Sequence, residues 1–124
     1  MKKILILSML LSVSLFAKKP YFVMVASSNC QVCIETMDMI NHSREIQTAL
    51  KQYTDFSVIS KEEALSAGLR VRTTPTFFFF AKEKKALLVE PLRGKPENIQ
   101  EFSQYIEDVY IKYNEFAEHN IKKK

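Results

Sequence analysis

The sequence contains no tryptophan and only 2 glycines, 4 prolines, 2 cysteines and 2 histidines among its 124 residues. So few glycines and prolines exclude a low-complexity linker and a collagen-like repeat. Hydrophobic residues make up 47% and charged residues 26%, close to the soluble average, which excludes disorder and coiled-coil character. The length suits one domain and excludes a multi-domain enzyme. Long apolar runs are also missing. The best candidate, Ile4 to Phe16, is interrupted by Ser8, Ser12 and Ser14 and falls short of the about 20 residues that a membrane-spanning helix needs.

What is present at the start has the form of a secretion signal: Met1-Lys2-Lys3, the short apolar run, and Ala17 before a change of character at Lys18-Lys19-Pro20. Residues 1–17 are therefore expected to be a signal peptide and residues 18–124 the mature domain, secreted across the inner membrane of a bacterium into the periplasm. An uncleaved anchor is the alternative, because Leu15 stands where a small residue usually precedes the cut. No cysteine stands directly after the run to carry a lipid.

The formal charge of +4 invites a nucleic-acid reading, which its distribution removes. Lys2, Lys3, Lys18, Lys19, Lys122, Lys123 and Lys124 lie at the two ends. Without them, eleven basic residues of the 18 remain against 14 acidic ones. Phosphate binding needs positive charge gathered on a folded surface, so no nucleic-acid partner is expected.

The mature chain alternates between strand and helix patterns. Tyr21 to Ala26 is a short apolar run suited to a buried strand. Ser27-Ser28-Asn29 are helix-capping residue types, and Cys33, Ile34, Met37, Ile40, Ile46 and Leu50 recur at near-helical spacing over residues 30–50. Asp55 to Ser60 reads as a second strand. Ser60 and Glu63 form a capping box for a short helix ending at Gly68. Thr76 to Ala81 holds four consecutive phenylalanines, Phe77 to Phe80, which need cover on both faces and hence a central strand. Lys82 to Lys85 read as a turn and Ala86 to Leu92 as a strand, with Pro91 favouring an edge. Arg93-Gly94-Lys95 is a turn, and Pro96 fits the first turn of a last helix. That helix shows Ile99, Phe102, Ile106, Val109, Tyr110, Tyr113 and Phe116 on one face. The order is β-α-β-α-β-β-α, an α/β plan with helices covering a central mixed sheet.

Both cysteines lie in Cys30-Gln31-Val32-Cys33. Alone, Cys-x-x-Cys fits redox enzymes, metal carriers and structural bridges. Its place after a strand and at a helix start favours redox chemistry, because the helix dipole and free N–H groups there favour a thiolate on Cys30. A structural bridge closing so short a loop constrains the unfolded chain very little. A zinc site wants four Cys or His ligands, and the only histidines, His42 and His119, stand 77 residues apart, so no metal is expected. Met24, Met37 and Met39 read as core packing rather than as copper ligands.

With Val71-Arg72-Thr73-Thr74-Pro75-Thr76 following the cysteine pair, the chain resembles the thioredoxin superfamily over roughly residues 21–113. The resemblance implies a thioredoxin-like fold, with Cys30 as nucleophile, Cys33 as resolving thiol and a redox-active Cys30–Cys33 disulfide. It further implies a cis Pro75 packed against the pair, a substrate groove formed by Thr74, Pro75 and Gly94, and no cofactor. The departures are the missing tryptophan before Cys30, Met24 where the family carries a buried aspartate, and Thr73 where it carries glycine. They mark a divergent secreted member. Gln31 and Val32 place no charge between the cysteines, whereas strongly oxidising members often place a histidine there, so the lean is to a reductase. Such an enzyme would exchange disulfides with protein substrates, draw electrons from a membrane partner and act as a monomer. The alternative is a non-catalytic thioredoxin-like metal carrier or chaperone.

Overall fold

A computed structural model describes residues 19–82 and 86–122, with side chains as far as Glu115. The signal peptide expected over 1–17, most of the turn at 82–85 and the side chains of Phe116 and His119 lie outside the described residues. The elements are β1 (Tyr21–Ala26), α1 (Gln31–His42), α2 (Arg44–Tyr53), β2 (Asp55–Ser60), α3 (Lys61–Ser66), β3 (Thr76–Phe80), β4 (Leu92–Arg93) and α4 (Ile99–Lys122).

The strands form one sheet in the order β2-β1-β3-β4. β1 runs parallel to β2 and antiparallel to β3, and β4 is antiparallel to β3. The sheet is therefore mixed, as expected, and the phenylalanine strand is interior. Side chains alternate across a strand, so β3 feeds two cores. Phe77 and Phe79 join Phe22 and Met24 under α1, α2 and α4, where Ile40, Ile46, Leu50, Phe102, Ile106 and Val109 are buried. Phe78 joins Val25, Val71 and Ala64 of α3 on the other face. Phe22 and Phe79 stack with centroids 4.0 Å apart. Burying one such side chain stabilises the fold by roughly 1.5–3 kcal/mol.

Three expectations are corrected. The helix expected over residues 30–50 is two helices. Ser43 lies between them in an extended conformation (φ −102°, ψ 113°), and its hydroxyl accepts from the Ile46 N–H. A side chain able to cap offers the backbone a way out of the helix, and the break re-aims α2 so that Ile46, Ala49 and Leu50 all reach the core. The strand expected over 86–92 shrinks to a bridge between Leu87 and Phe80 and the short β4. Pro91 has no N–H to continue a ladder between them. The last helix starts at Ile99, beyond Pro96, because the Asn98 carboxamide oxygen accepts from the Glu101 N–H and caps it there.

The capping box is present in full, with Ser60 and Glu63 each accepting from the other's backbone N–H. Gly68 follows α3 at φ +87°. Among the described residues no helix is long and apolar enough to cross a membrane.

Candidate functional site

The site lies where β1 hands over to α1. β1 is held between β2 and β3, so its C-terminal end is fixed on both sides, through Ala26 on the β2 ladder and Val25 on the β3 ladder. The chain then passes through Ser27-Ser28-Asn29, and Cys30 itself is the N-cap, a correction to the expectation that those three residues would cap. Cys30 is extended (φ −114°, ψ 101°) and its Sγ accepts from the Cys33 N–H at 3.0 Å. Its carbonyl accepts the first helical bond, from the Ile34 N–H. A sulfur in the position of a capping oxygen receives the free N–H groups of the helix start, and a thiolate receives them better than a thiol. The first turn of α1 carries no acidic residue to oppose that charge.

Cys30 and Cys33 are joined in a disulfide with Cα atoms 5.1 Å apart. The two sulfurs differ in access. Cys33 is 4% exposed and belongs to the core under α1, whereas Cys30 is half-buried and opens to the surface. Val32 and Ile34, beside them on α1, are exposed apolar side chains.

The second half of the site comes from the segment before β3. The Thr74–Pro75 peptide bond is cis, and Pro75 is fully buried. The Cys30 Sγ lies 3.4 Å from the Thr74 carbonyl oxygen. The Thr76 hydroxyl donates to the Thr73 carbonyl at 2.6 Å, closing the turn that presents Thr74. Gly94, just after β4, donates its N–H to the Pro75 carbonyl at 2.8 Å and sits at φ +86°. Cys30, Thr74, Pro75 and Gly94 are thus brought together from three separate stretches of chain.

Ser27, a helix-capping type by sequence, takes a different part in the site. The Ser27 hydroxyl lies 2.8 Å from the Thr74 hydroxyl and ties the loop before Cys30 to the loop before Pro75. Its only sequence signal is a hydroxyl three residues ahead of the cysteine, and the contact spans 47 residues, so only the fold makes it visible. Of the residues weighed as extra metal ligands, His42 ends α1 with its Nδ1 2.8 Å from the Asp38 carbonyl oxygen. Met24 is buried, and Met37 and Met39 pack against the same core. Among the described residues no group of three or more His, Cys, Asp or Glu is placed to hold a metal ion.

Comparison with known proteins agrees with this geometry. A family model described as a thioredoxin-like domain matches residues 11–110. No curated protein matches at a significant level. Among solved structures, a thioredoxin from Thermus thermophilus superposes with a TM-score of 0.64 at 22% identity, over 77% of this chain and 76% of that one. A DsbH oxidoreductase gives 0.63 at 18% identity, over 81% and 78%. The periplasmic thioredoxin SoxS from Paracoccus pantotrophus gives 0.56 at 19%, over 74% and 96%.

Proposed function

The chain belongs to the thioredoxin-like domain family, and on that premise we propose that it is a thiol–disulfide oxidoreductase acting on protein substrates through Cys30 and Cys33. The observation that carries this reading is the asymmetry of the pair: a reachable Cys30 at a helix start, bridged to a Cys33 that is 4% exposed.

In the reducing direction the Cys30 thiolate attacks one sulfur of a substrate disulfide. A bond forms between Cys30 and the substrate, and the other substrate sulfur leaves as a thiolate that takes up a proton. Cys33 then loses its proton and attacks the Cys30 sulfur, releasing the second substrate sulfur as a thiol. Two electrons pass from the protein dithiol to the substrate, and the protein ends in the disulfide form seen here. Thr74, Pro75 and Gly94 line the groove in which an extended substrate segment lies against Cys30. No metal, flavin or nucleotide enters these steps.

Several finer features belong to the same proposal. Residues 1–17 act as a secretion signal and residues 18–124 as a monomeric periplasmic domain. The neutral Gln31 and Val32 leave the Cys30 thiolate without a cationic neighbour between the cysteines, which favours reduction of substrates. In the periplasm that direction needs a membrane protein to restore the dithiol.

The test is the reduction potential of the Cys30–Cys33 couple, measured by equilibration in thiol–disulfide buffers followed by acid quench and thiol trapping. A value near −270 mV fits a reductase and one near −120 mV an oxidant. The absence of any reversible couple rejects the enzyme. Cys33→Ala should accumulate mixed disulfides through Cys30, and Cys30→Ala should not.

A further inference from the structure

We infer that the groove beside Cys30 selects disulfides flanked by acidic residues, through a cationic rim formed by Arg72, Arg93 and Lys95. The inference rests on the redox reading above and names its substrate class.

The fold places each of the three next to a groove residue. Arg72 precedes Thr74 by two residues, within about 7.6 Å between Cα atoms, and an arginine side chain spans a similar length. Arg93 pairs with Thr76 in the β3–β4 ladder. Lys95 follows Gly94, whose N–H holds the Pro75 carbonyl at 2.8 Å. All three are exposed. Among the described residues none of them makes an ion pair, the one such pair being Lys82 with Asp55. Arg70, also exposed, precedes them in the loop that leads to Arg72. The nearest acid along the chain is Glu97, two residues past Lys95.

The contrast with the remainder of the molecule gives the rim its meaning. Setting aside the seven lysines of the two ends, the chain has more acidic than basic residues, yet every charged residue within two positions of Thr74 or of Gly94 is basic. A surface of one sign at the point of contact steers partners of the opposite sign and repels like-charged ones. An extended segment crossing between Arg72 and Lys95 next to its exchanged cysteine meets positive charge on both flanks. Acidic residues on either side of that cysteine satisfy it. Arginine at two of the three positions further suits carboxylates, which its planar fork binds in pairs.

The experiment is single-turnover exchange by the pre-reduced full chain. The substrates are two peptides of equal length, each with one cysteine disulfide-bonded to mercaptoethanol, flanked by glutamates in one and by lysines in the other. Each turnover converts the protein dithiol to its disulfide and the peptide disulfide to two thiols. The acidic peptide is expected to react about tenfold faster at low ionic strength. The difference should shrink to within about twofold near 1 M salt, where the screening length is about 3 Å. Replacing Arg72, Arg93 and Lys95 together by glutamate should reverse the order. The milder triple replacement by glutamine, which serves if the glutamate variant does not fold, should abolish it. Equal rates, or faster reaction of the basic peptide, overturn the inference while leaving the redox reading in place. So does an acidic preference that survives both variants. Failure of the wild-type protein to reduce either peptide or the neutral hydroxyethyl disulfide removes the redox reading and this inference with it.

Discussion

The hydroxyls of Ser27 and Thr74 meet at 2.8 Å across 47 residues of sequence. This single bond joins the loop that delivers the reactive sulfur to the loop whose Thr74 carbonyl faces that sulfur at 3.4 Å. Hydrogen bonds of this kind contribute about 1 kcal/mol net, enough to hold one loop geometry over a looser alternative.

Ser27→Ala and Thr74→Val are each expected to cost about 1 kcal/mol, and the double variant little more than either single one. Denaturant titration of all four proteins measures that coupling. Additive losses would show that the two hydroxyls act separately. In the reduced protein the same variants should change the rate at which iodoacetamide alkylates Cys30, because the loops that frame its sulfur are no longer tied.

The unequal access of the two sulfurs gives an order of modification. In the reduced protein a bulky maleimide should label Cys30 well before Cys33, which is 4% exposed. Digestion and mass spectrometry at successive times read the order directly. Earlier labelling of Cys33 contradicts the assignment of the nucleophile.

Gly94 sits at φ +86°, and a Cβ added there would meet nothing within 4 Å. The cost of Gly94→Ala is therefore conformational rather than steric, about 1–2 kcal/mol. Thermal denaturation should show that loss. A much larger loss would mean that the Pro75 carbonyl contact had broken as well.

Phe22 is fully buried and packs against Phe56, Phe77, Phe79 and Phe102. Phe22→Ala should cost about 3–5 kcal/mol, a large share of a small domain's stability. Loss of less than 1 kcal/mol, read from urea unfolding, would contradict its central place in the core.

Two tyrosines give the fold a pH dependence at the alkaline end. Burial pushes the Tyr105 hydroxyl above its ordinary 10.0. The Tyr53 hydroxyl is also raised above that value, first by burial and then by the charge of Glu107 and by Tyr110. A raised value in the folded state means that the fold holds the proton more tightly than the unfolded chain does. This contribution to stability is complete below pH 10, and it is lost as pH rises through the folded values. Tyr105→Phe and Tyr53→Phe should flatten the fall in stability above pH 10, measured by denaturant midpoints across alkaline pH. An unchanged slope would remove these two groups as its cause.

Local chemistry was legible in the sequence wherever the signal was confined to a few residues. β1 and β2 run over the same residues as the apolar patterns indicate, and the Ser60–Glu63 box caps α3 as its spacing requires. Phe77 to Phe80 point to the sheet interior by themselves, because an exposed run of that kind has no stable solution. The break at Ser43 is marked in sequence only by the six-residue step from Ile40 to Ile46, since the apolar residues on each side keep helical spacing among themselves and a serine within a helical pattern looks the same whether it caps or faces solvent. Pro96 and Asn98 both carry helix-start chemistry in the sequence, and only the fold shows that the Asn98 cap is the one used. At the site, the motif residues were legible, whereas Ser27 was not, since nothing near it in sequence announces Thr74 as its partner.

The serine between α1 and α2 has a consequence for the angular phase of the thiols. With no loop to absorb length, the 12 residues from Gln31 to His42 meter the rotation of Cys33 relative to the helix exit at Ser43. Each residue turns a helix by about 100°. Deleting one residue between Cys33 and Ser43 would swing Cys33 a quarter-turn or more out of the core. A deletion after Ser43 would instead displace Ile46 and Leu50 and leave the sulfurs in place. Ser43 therefore serves as the zero mark from which the redox pair is aimed.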